Sequence, residues 1–219
     1  MFLDGYLPQI IDGCKMTIMV SVTSIFIGVI LGVIGALGEM SNSKIILKIS
    51  KGINSIVRGL PELLILFVIY FMGTILLSKV FGKYTEINIF LTGVIALSII
   101  FGAYAAQTFR GAFLHIHKGQ KESAMALGLS SWITFKKILF PQALRYALPG
   151  LSNLCLTTLK DSSLISLIGL HELTFKSQLA ATQSYKPFTF YLVCGLIYLI
   201  LTSLFELVFK LLEFKVSYD

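Results

Sequence analysis

MTIMVSVTSIFIGVILGVIGALG, residues 16–38, is an apolar run interrupted only by hydroxyls and glycines. As a helix it would extend about 35 Å, more than the ~30 Å hydrocarbon core of a bilayer. The N-terminal residues 1–8, MFLDGYLP, carry an acid and no base. They lack the positive n-region of a cleavable signal peptide, so the run is expected to stay in the mature protein. Gly28 and Gly32 stand four apart and make a small-xxx-small face on which another helix can approach closely. Further apolar runs lie at about 60–79, 88–109, 148–170 and 188–212. The expectation is an all-α integral membrane protein with five transmembrane helices, one membrane domain over 1–219 and no separate soluble domain.

Composition agrees with that reading. Of the 219 residues, 56% are hydrophobic and 13% charged, and mean hydropathy is +0.85. A soluble chain carries about a quarter charged residues, so soluble Rossmann, barrel and P-loop enzymes are excluded. The net charge of +7 needs no nucleic acid to explain it, because membrane proteins concentrate bases on their cytoplasmic side. Twelve of the 18 bases fall after the first, third and fifth runs (Lys44, Lys48, Lys51, Arg58; Arg110, Lys118, Lys121, Lys136, Lys137, Arg145; Lys210, Lys215). Five lie on the other side and Lys160 sits within a run, giving N-out and C-in. Cys14, Cys155 and Cys194 are scattered and odd in number, and read as small hydrophobes.

The connections are uneven. The link at about 80–87 is a short outside turn and 171–187 a longer, polar external stretch, whereas 110–147 is far longer than two neighbouring helices need. Within 110–147, Ser123, Ala126 and Leu127 keep helical spacing and Gly128 follows as a stop. Phe135, Ile138 and Leu139 begin a second turn system that Pro141 closes or kinks. His115 and His117 have no third ligand nearby, and no metal site is expected.

This loop reads Gly119-Gln120-Lys121-Glu122-Ser123-Ala124-Met125-Ala126-Leu127-Gly128 and then Ile138-Leu139-Phe140-Pro141. It resembles the EAA loop of permease subunits of binding-protein-dependent ABC importers, matching at Glu122, Ala124, Gly128, Ile138 and Pro141. Ser123 and Phe140 depart mildly from the pattern. Arg58-Gly59-Leu60-Pro61-Glu62, Ala103-Tyr104-Ala105-Ala106-Gln107-Thr108-Phe109-Arg110-Gly111 and Leu159-Lys160-Asp161-Ser162-Ser163-Leu164 are similar to the polar amino-acid family within that group, closest to its Q-type arginine permeases. The resemblance runs from about Gly13 to Leu212.

The resemblance implies a type I importer fold in the bacterial inner membrane, and transport by alternating access of arginine or another basic or polar amino acid. It also implies a second permease subunit in a heterodimer, ATP-binding subunits carrying ATP and Mg, and an extracytoplasmic binding protein. Glu122, Ser123, Ala124, Gly128 and Pro141 would form the cytoplasmic coupling segment. Physically, a short helix of small residues can enter a partner's groove, Glu122 can meet a base there, and Gly128 lets the chain turn back. The alternative is an amphipathic helix on anionic lipid.

Lys160 and Asp161 lie inside an apolar run, where a central charge costs about 2.5–3.5 kcal/mol. Adjacent helical residues point about 100° apart, so each needs a partner elsewhere, whether structural or substrate. Asn153, Thr157 and Asp161 follow at four-residue steps and form a polar stripe along a substrate path, to which Gln107, Tyr104 and Arg58 are added. Arg58 reads as a headgroup anchor or a partner for Glu62. Glu62 and Pro61 suit a helix start. The chain carries no P-loop, G-x-S-x-G or H-E-x-x-H pattern, and no catalytic residue or bound cofactor is expected. A stand-alone secondary transporter would need its own ion site and repeat, and an intramembrane enzyme a nucleophile and base. Both remain alternatives at this stage.

Overall fold

A computed structural model describes residues 5–218 of the chain, with side chains to residue 214. The acid of the N-terminal reading, Asp4, and the base Lys215 lie outside the side chains described. The described residues are helical, in the order α1 (Leu7–Glu39), α2 (Lys44–Gly59), α3 (Glu62–Phe81), α4 (Ile89–His115), α5 (Lys118–Ala126), α6 (Ser131–Thr134), a π-helical turn (Phe135–Leu139), α7 (Phe140–Asp161), a 3-10 turn (Ser162–Ile168), α8 (Leu173–Ser184) and α9 (Pro187–Tyr218). Four helices, α1, α3, α4 and α9, are long and apolar enough to cross a membrane. At 22 residues α7 is also long enough, but it carries Arg145, Asn153, Lys160 and Asp161, which lower its mean hydropathy.

The centre of the molecule is the pair α1 and α4. Gly28 and Gly32 of α1 meet Phe101 and Ala105 of α4 so closely that a Cβ on either glycine would stand 2.6 Å from those side chains. In return, a Cβ on Gly102 of α4 would meet that of Leu31 at 2.8 Å. Around this seam lie three cores. Phe101, Phe109 and Ala105 of α4 pack with Ala143, Ala147 and Cys155 of α7. Val20, Leu66, Val94 and Leu97 enclose Ile165 of the 3-10 turn. Ile10 of α1 meets Leu173 and Ala180 of α8 and Phe190 and Cys194 of α9.

The first helix begins at Leu7 instead of 16 and α4 runs to His115 instead of 109, and three further segments differ from their sequence-based boundaries, each for a local reason. Residues 44–59, a connection in the sequence reading, form α2. Ser50 of α2 lies against Gly38 of α1 and Asn54 against Gly35, while Val57 shares a cavity wall with Leu31. The helix therefore runs back along α1 instead of lying beyond its end. Second, the helix expected from 148 begins at Phe140, with Pro141 in its first turn. Proline there forfeits no hydrogen bond, so it opens α7 instead of closing the preceding turn. Third, α7 ends at Asp161 and not near 170. Ser162 donates to Leu159 O (2.7 Å) and Ser166 to Ser163 O (2.6 Å), which suits the tighter coil, and Gly169 at φ +94° ends it.

The stretches at 80–87 and 171–187 are more ordered than mixed polarity suggests. Residues 85–87 hang on the hydroxyl face of α3: Thr85 N donates to Ser78 Oγ (2.9 Å) and Tyr70 to Glu86. Within 171–187 stands α8, whose first turn is capped by Glu172.

Candidate functional site

The motif loop folds as a short capped helix with a sharp exit. His117 opens α5 by accepting from Gly119 N (3.2 Å), so this histidine has a capping role. At the other end Leu129 N donates to Ala124 O (3.1 Å) and Gly128 N to Met125 O (3.0 Å). That is the Schellman pairing, which needs a left-handed residue after the cap. Gly128 supplies it at φ +72°, with open space around its Cα. Glu122 and Ser123 face outward and Ala124 is buried, holding α5 onto its support. Pro141, though part of the same motif, belongs to the first turn of α7. Of the five motif matches, Glu122, Ala124 and Gly128 lie on α5 and its exit, Ile138 in the π-helical turn and Pro141 in the first turn of α7.

The polar residues further along the chain come together as two groups. Arg58, in the last turn of α2, donates through Nη1 to Gln107 Oε1 of α4 and through Nε to Asn54 O (3.1 Å). Within the chain its side-chain partner is Gln107, and among the described residues it forms no ion pair with Glu62. Tyr104 lies one turn from Gln107 on α4 and is half-buried. The second group stands on α7. Asn153 is exposed, Thr157 is half-buried and bonds back to Asn153 O (3.1 Å), and Asp161 is the half-buried last residue of the helix. Among the described residues Asp161 takes part in no ion pair, and the charges acting on it are those of Glu62 and Lys160. The link of Glu62 to Asp161 was not read from the sequence. Glu62 is 99 positions away in sequence, and no local pattern links the two.

Between α2 and α3 the helix breaks. Leu60 (φ −98°, ψ 147°) and Pro61 (φ −58°, ψ 134°) are extended. Val57 of α2 lines one cavity with Leu31 of α1, and Leu66 of α3 clusters with Val20 of α1, so both sides of the break pack on α1. Arg58 precedes it and Glu62 follows it. Unwound backbone within a bilayer needs protein or a water-filled cavity around it.

Two more carboxylates went unrecognised in the sequence. Glu39, at the end of α1 and 7% exposed, accepts from Asn54 Nδ2 (2.9 Å) and pairs with Arg110 Nε at 3.7 Å, tying α1 to α2 and α4. Glu172 is fully buried. It accepts from Phe175 N (2.8 Å), Tyr198 Oη (2.9 Å) and Thr17 Oγ1 (3.3 Å). Its only sequence signal was an acid just ahead of a helical pattern.

Arg58 and Gln107 thus meet across α2 and α4, Asn153, Thr157 and Asp161 lie along α7, and α5 is a short capped helix with a left-handed exit. Residues 24–218 match the family of binding-protein-dependent transport system inner membrane components. The chain belongs to that family. It is an inner-membrane permease subunit of an ATP-driven importer, a transport component and not an enzyme.

The permease is 41% identical over 215 residues to the arginine ABC transporter permease protein ArtQ of Haemophilus influenzae, covering 98% of this chain and 96% of that one. It is 36% identical over 220 residues to HisQ, the permease protein of the histidine/lysine/arginine/ornithine transport system of Escherichia coli, with the same coverage. In structure it is similar to a chain of an amino acid ABC transporter crystallised with histidines (TM-score 0.83, 31% identity, 96% of this chain and 95% of that one). The methionine transporter MetNI shares the fold at 18% identity (TM-score 0.78, 95% of this chain and 96% of that one).

Proposed function

We propose that the permease imports arginine or another basic or polar amino acid, and that its substrate passes the break between α2 and α3. The observation that carries this reading is the pairing of charges at the break. Arg58 offers a guanidinium to a carboxylate, while Glu62 and Asp161 offer negative charge to an ammonium or guanidinium. Broken helices in transporters bind substrate near the membrane centre for this reason: their ends and unwound backbone meet the ligand's charges. The relatives named for arginine, histidine, lysine and ornithine support a basic substrate.

Replacing Asp161 by asparagine keeps size and hydrogen bonding and deletes the charge. A charge-assisted hydrogen bond contributes about 1.5–3 kcal/mol, so uptake of labelled arginine should fall about ten- to a hundredfold, with the assembled complex still formed. If the charge instead holds the protein together, the yield of complex falls with uptake. Uptake equal to wild type removes Asp161 from the path.

In the same reading α7 makes a fifth crossing with α1, α2–α3, α4 and α9, and the chain lies N-out and C-in. Cysteines at Ser130 and Thr182, both exposed, test this once the native cysteines are replaced. Thr182 should react with an impermeant reagent in intact cells and Ser130 only after lysis; the reverse pattern overturns the orientation. Ser177 would be a poor reporter because it is fully buried.

Gln107 and Asn153 face outward from the lone chain at membrane depth, which is costly against hydrocarbon. A second permease subunit closes the path over them. Gln107 and Leu154 carry no charge where a cationic substrate would need it, so that subunit is a different, more acidic chain. An active complex purified with this permease alone would remove the heterodimer. Two ATP-binding subunits holding Mg-ATP, and an external binding protein, complete the assembly.

Glu122–Gly128 is the segment on which the ATP-binding subunit acts, moving the bundle by alternating access. A β-branched residue resists the left-handed backbone of Gly128 by about 1–2 kcal/mol. Gly128→Val should therefore reach the membrane but lose transport and binding-protein-stimulated ATP hydrolysis. Normal transport in that variant would discard α5 as the coupling element.

A further inference from the structure

At the end of α4 opposite α5, residues 83–88 form no helix and lie back along α3 as a strap. Thr85 N donates to Ser78 Oγ (2.9 Å), which donates in turn to Thr85 O (3.3 Å). Ile87 N donates to Thr74 Oγ1 (3.5 Å), and Tyr70 donates to Glu86. Ile87 also seats against Gly73, where an added Cβ would meet its Cδ1 at 2.8 Å. From Ser78 to Tyr70 the strap follows α3 for about 12 Å.

Tyr70, Thr74 and Ser78 are all the hydroxyls that α3 has, and the strap takes every one. With Glu62 and Leu66 they follow at four-residue steps, a row that winds slowly round α3 from the break to the outer end. Leu66 is packed with Val20 and Ile165, so the row is closed by one apolar layer and, beyond it, by the strap. A charged amino acid that leaves water for Glu62 needs polar groups along its way. On α3 those groups lie under residues 85–87. The strap is also loosely held. None of residues 82–88 is buried, and a cleft of about 490 Å³ is lined by Lys83 and Tyr84 of the strap together with Ile75 and Lys79 of α3. Gly82, at φ +65°, has open space around it, whereas at the other end Asn88 caps α4 by accepting from Leu91 N (3.0 Å). Few buried apolar contacts and exposed hydrogen bonds mark a segment that opens at low cost.

We infer that residues 83–88 are the outer lid of the path, seated on the hydroxyl row of α3 in this structure and lifted from it about Gly82 when the path opens outward. This rests on the reading that substrate passes the break, and it names the part that closes the outer side.

A disulfide tests the lid. A Cβ on Gly73 would stand 3.9 Å from that of Ile87, near the ~3.8 Å of natural disulfides, and Ile87→Cys removes the Cδ1 that Gly73→Cys would strike. The experiment uses the full assembly with its ATP-binding subunits and binding protein, the native cysteines being replaced. On oxidation the Gly73→Cys/Ile87→Cys permease should form the bond, and uptake of labelled arginine should fall at least about tenfold and return on reduction. The amount of assembled complex should not change. In the assembly without these two substitutions, hydrogen exchange at the Thr85 and Ile87 amides should quicken at least about tenfold when ATP, binding protein and arginine are all present. Failure of the bond to form would show that the strap does not lie on Gly73, and exchange unchanged by turnover would show that it does not lift; either overturns the lid. If the locked permease transports normally while Asp161→Asn does not, the lid is wrong and the path stands. If the locked permease loses uptake while Asp161→Asn keeps it, the strap closes a route that does not pass Asp161, and the reading of the path fails instead.

Discussion

Replacing Gly32 by alanine is expected to destabilise the permease severely, and by leucine to abolish the folded protein. A Cβ at Gly32 would lie 2.6 Å from the Ala105 Cβ and 3.3 Å from the main chain at Ala105 and Ala106. Ala105 has no rotamer to escape into and is fully buried, so α1 and α4 would have to move apart along their whole seam. Overpacking a dense core costs about 1–3 kcal/mol for small additions, and leucine adds three further carbons. The rescue is specific: Ala105→Gly removes the atom in conflict, at about 0.5–1 kcal/mol of helix stability. Thermal midpoints of the purified complex for Gly32→Ala, Ala105→Gly and the double variant should therefore be strongly non-additive, the double lying above Gly32→Ala. Additive losses would mean that the two helices are not held by this contact.

That seam marks how far sequence reasoning reached. The four-residue spacing of Gly28 and Gly32 announced a close helix contact, because small-xxx-small faces have a local signature. Which helix fills it was not legible, since Phe101 and Ala105 are ordinary members of an apolar run. The same limit appears at α2. Its residues alternate Lys44, Lys48 and Lys51 with Ile45, Ile49 and Ile53, which reads as a surface connection. Ser50, Asn54 and Arg58 lie on the remaining face, and they pack on Gly38, Gly35 and Gln107. A short run of polar side chains facing other protein cannot be told from solvated polar side chains by periodicity.

The helix of the motif loop and its stop at Gly128 were legible because their geometry is local, whereas the cap at His117 was not read and Pro141 opens α7 instead of closing the turn before it. The polar groups of the proposed path were legible only in halves. Asn153, Thr157 and Asp161 share one helix face and could be read as a stripe. The approach of Glu62 to Asp161, and of Arg58 to Gln107, depends on how α2, α3, α4 and α7 are arranged. Arg58 shows the cost of reading locally, since Glu62 is its nearest carboxylate in sequence and Gln107 is its actual partner. The break at Leu60–Pro61 lies between these two charges, and proline was read as a helix start without the consequence that a second helix stops just before it.

Glu172→Leu is the other substitution with a large expected effect. The carboxylate is fully buried and satisfies three donors from three parts of the chain: Phe175 N in the first turn of α8, Thr17 on α1 and Tyr198 on α9. Leu173 N also donates to Thr17 Oγ1 (3.1 Å), and the Thr174 and Tyr198 hydroxyls lie 3.2 Å apart. Leucine fills most of the space but leaves the Phe175 N–H and the Thr17 hydroxyl without their acceptor. Each buried unsatisfied group costs about 1–3 kcal/mol, so the loss should be about 2–6 kcal/mol. Tyr198 can still turn to Thr174, which keeps it out of that sum. Glutamine retains one acceptor oxygen and brings an amide whose protons meet other donors, so Glu172→Gln should fall between leucine and wild type. Tyr198→Phe removes a donor and leaves the carboxylate two others, and should cost least. The order of thermal midpoints, wild type, then Tyr198→Phe, Glu172→Gln and Glu172→Leu, follows from acceptor count alone. Hydrogen exchange should quicken at Phe175 and Lys176 in the same order, because the first turn of α8 loses its cap. A Glu172→Leu protein as stable as wild type would show that apolar packing among Ile10, Leu173 and Phe190 holds α8 to α1 and α9 without the acid.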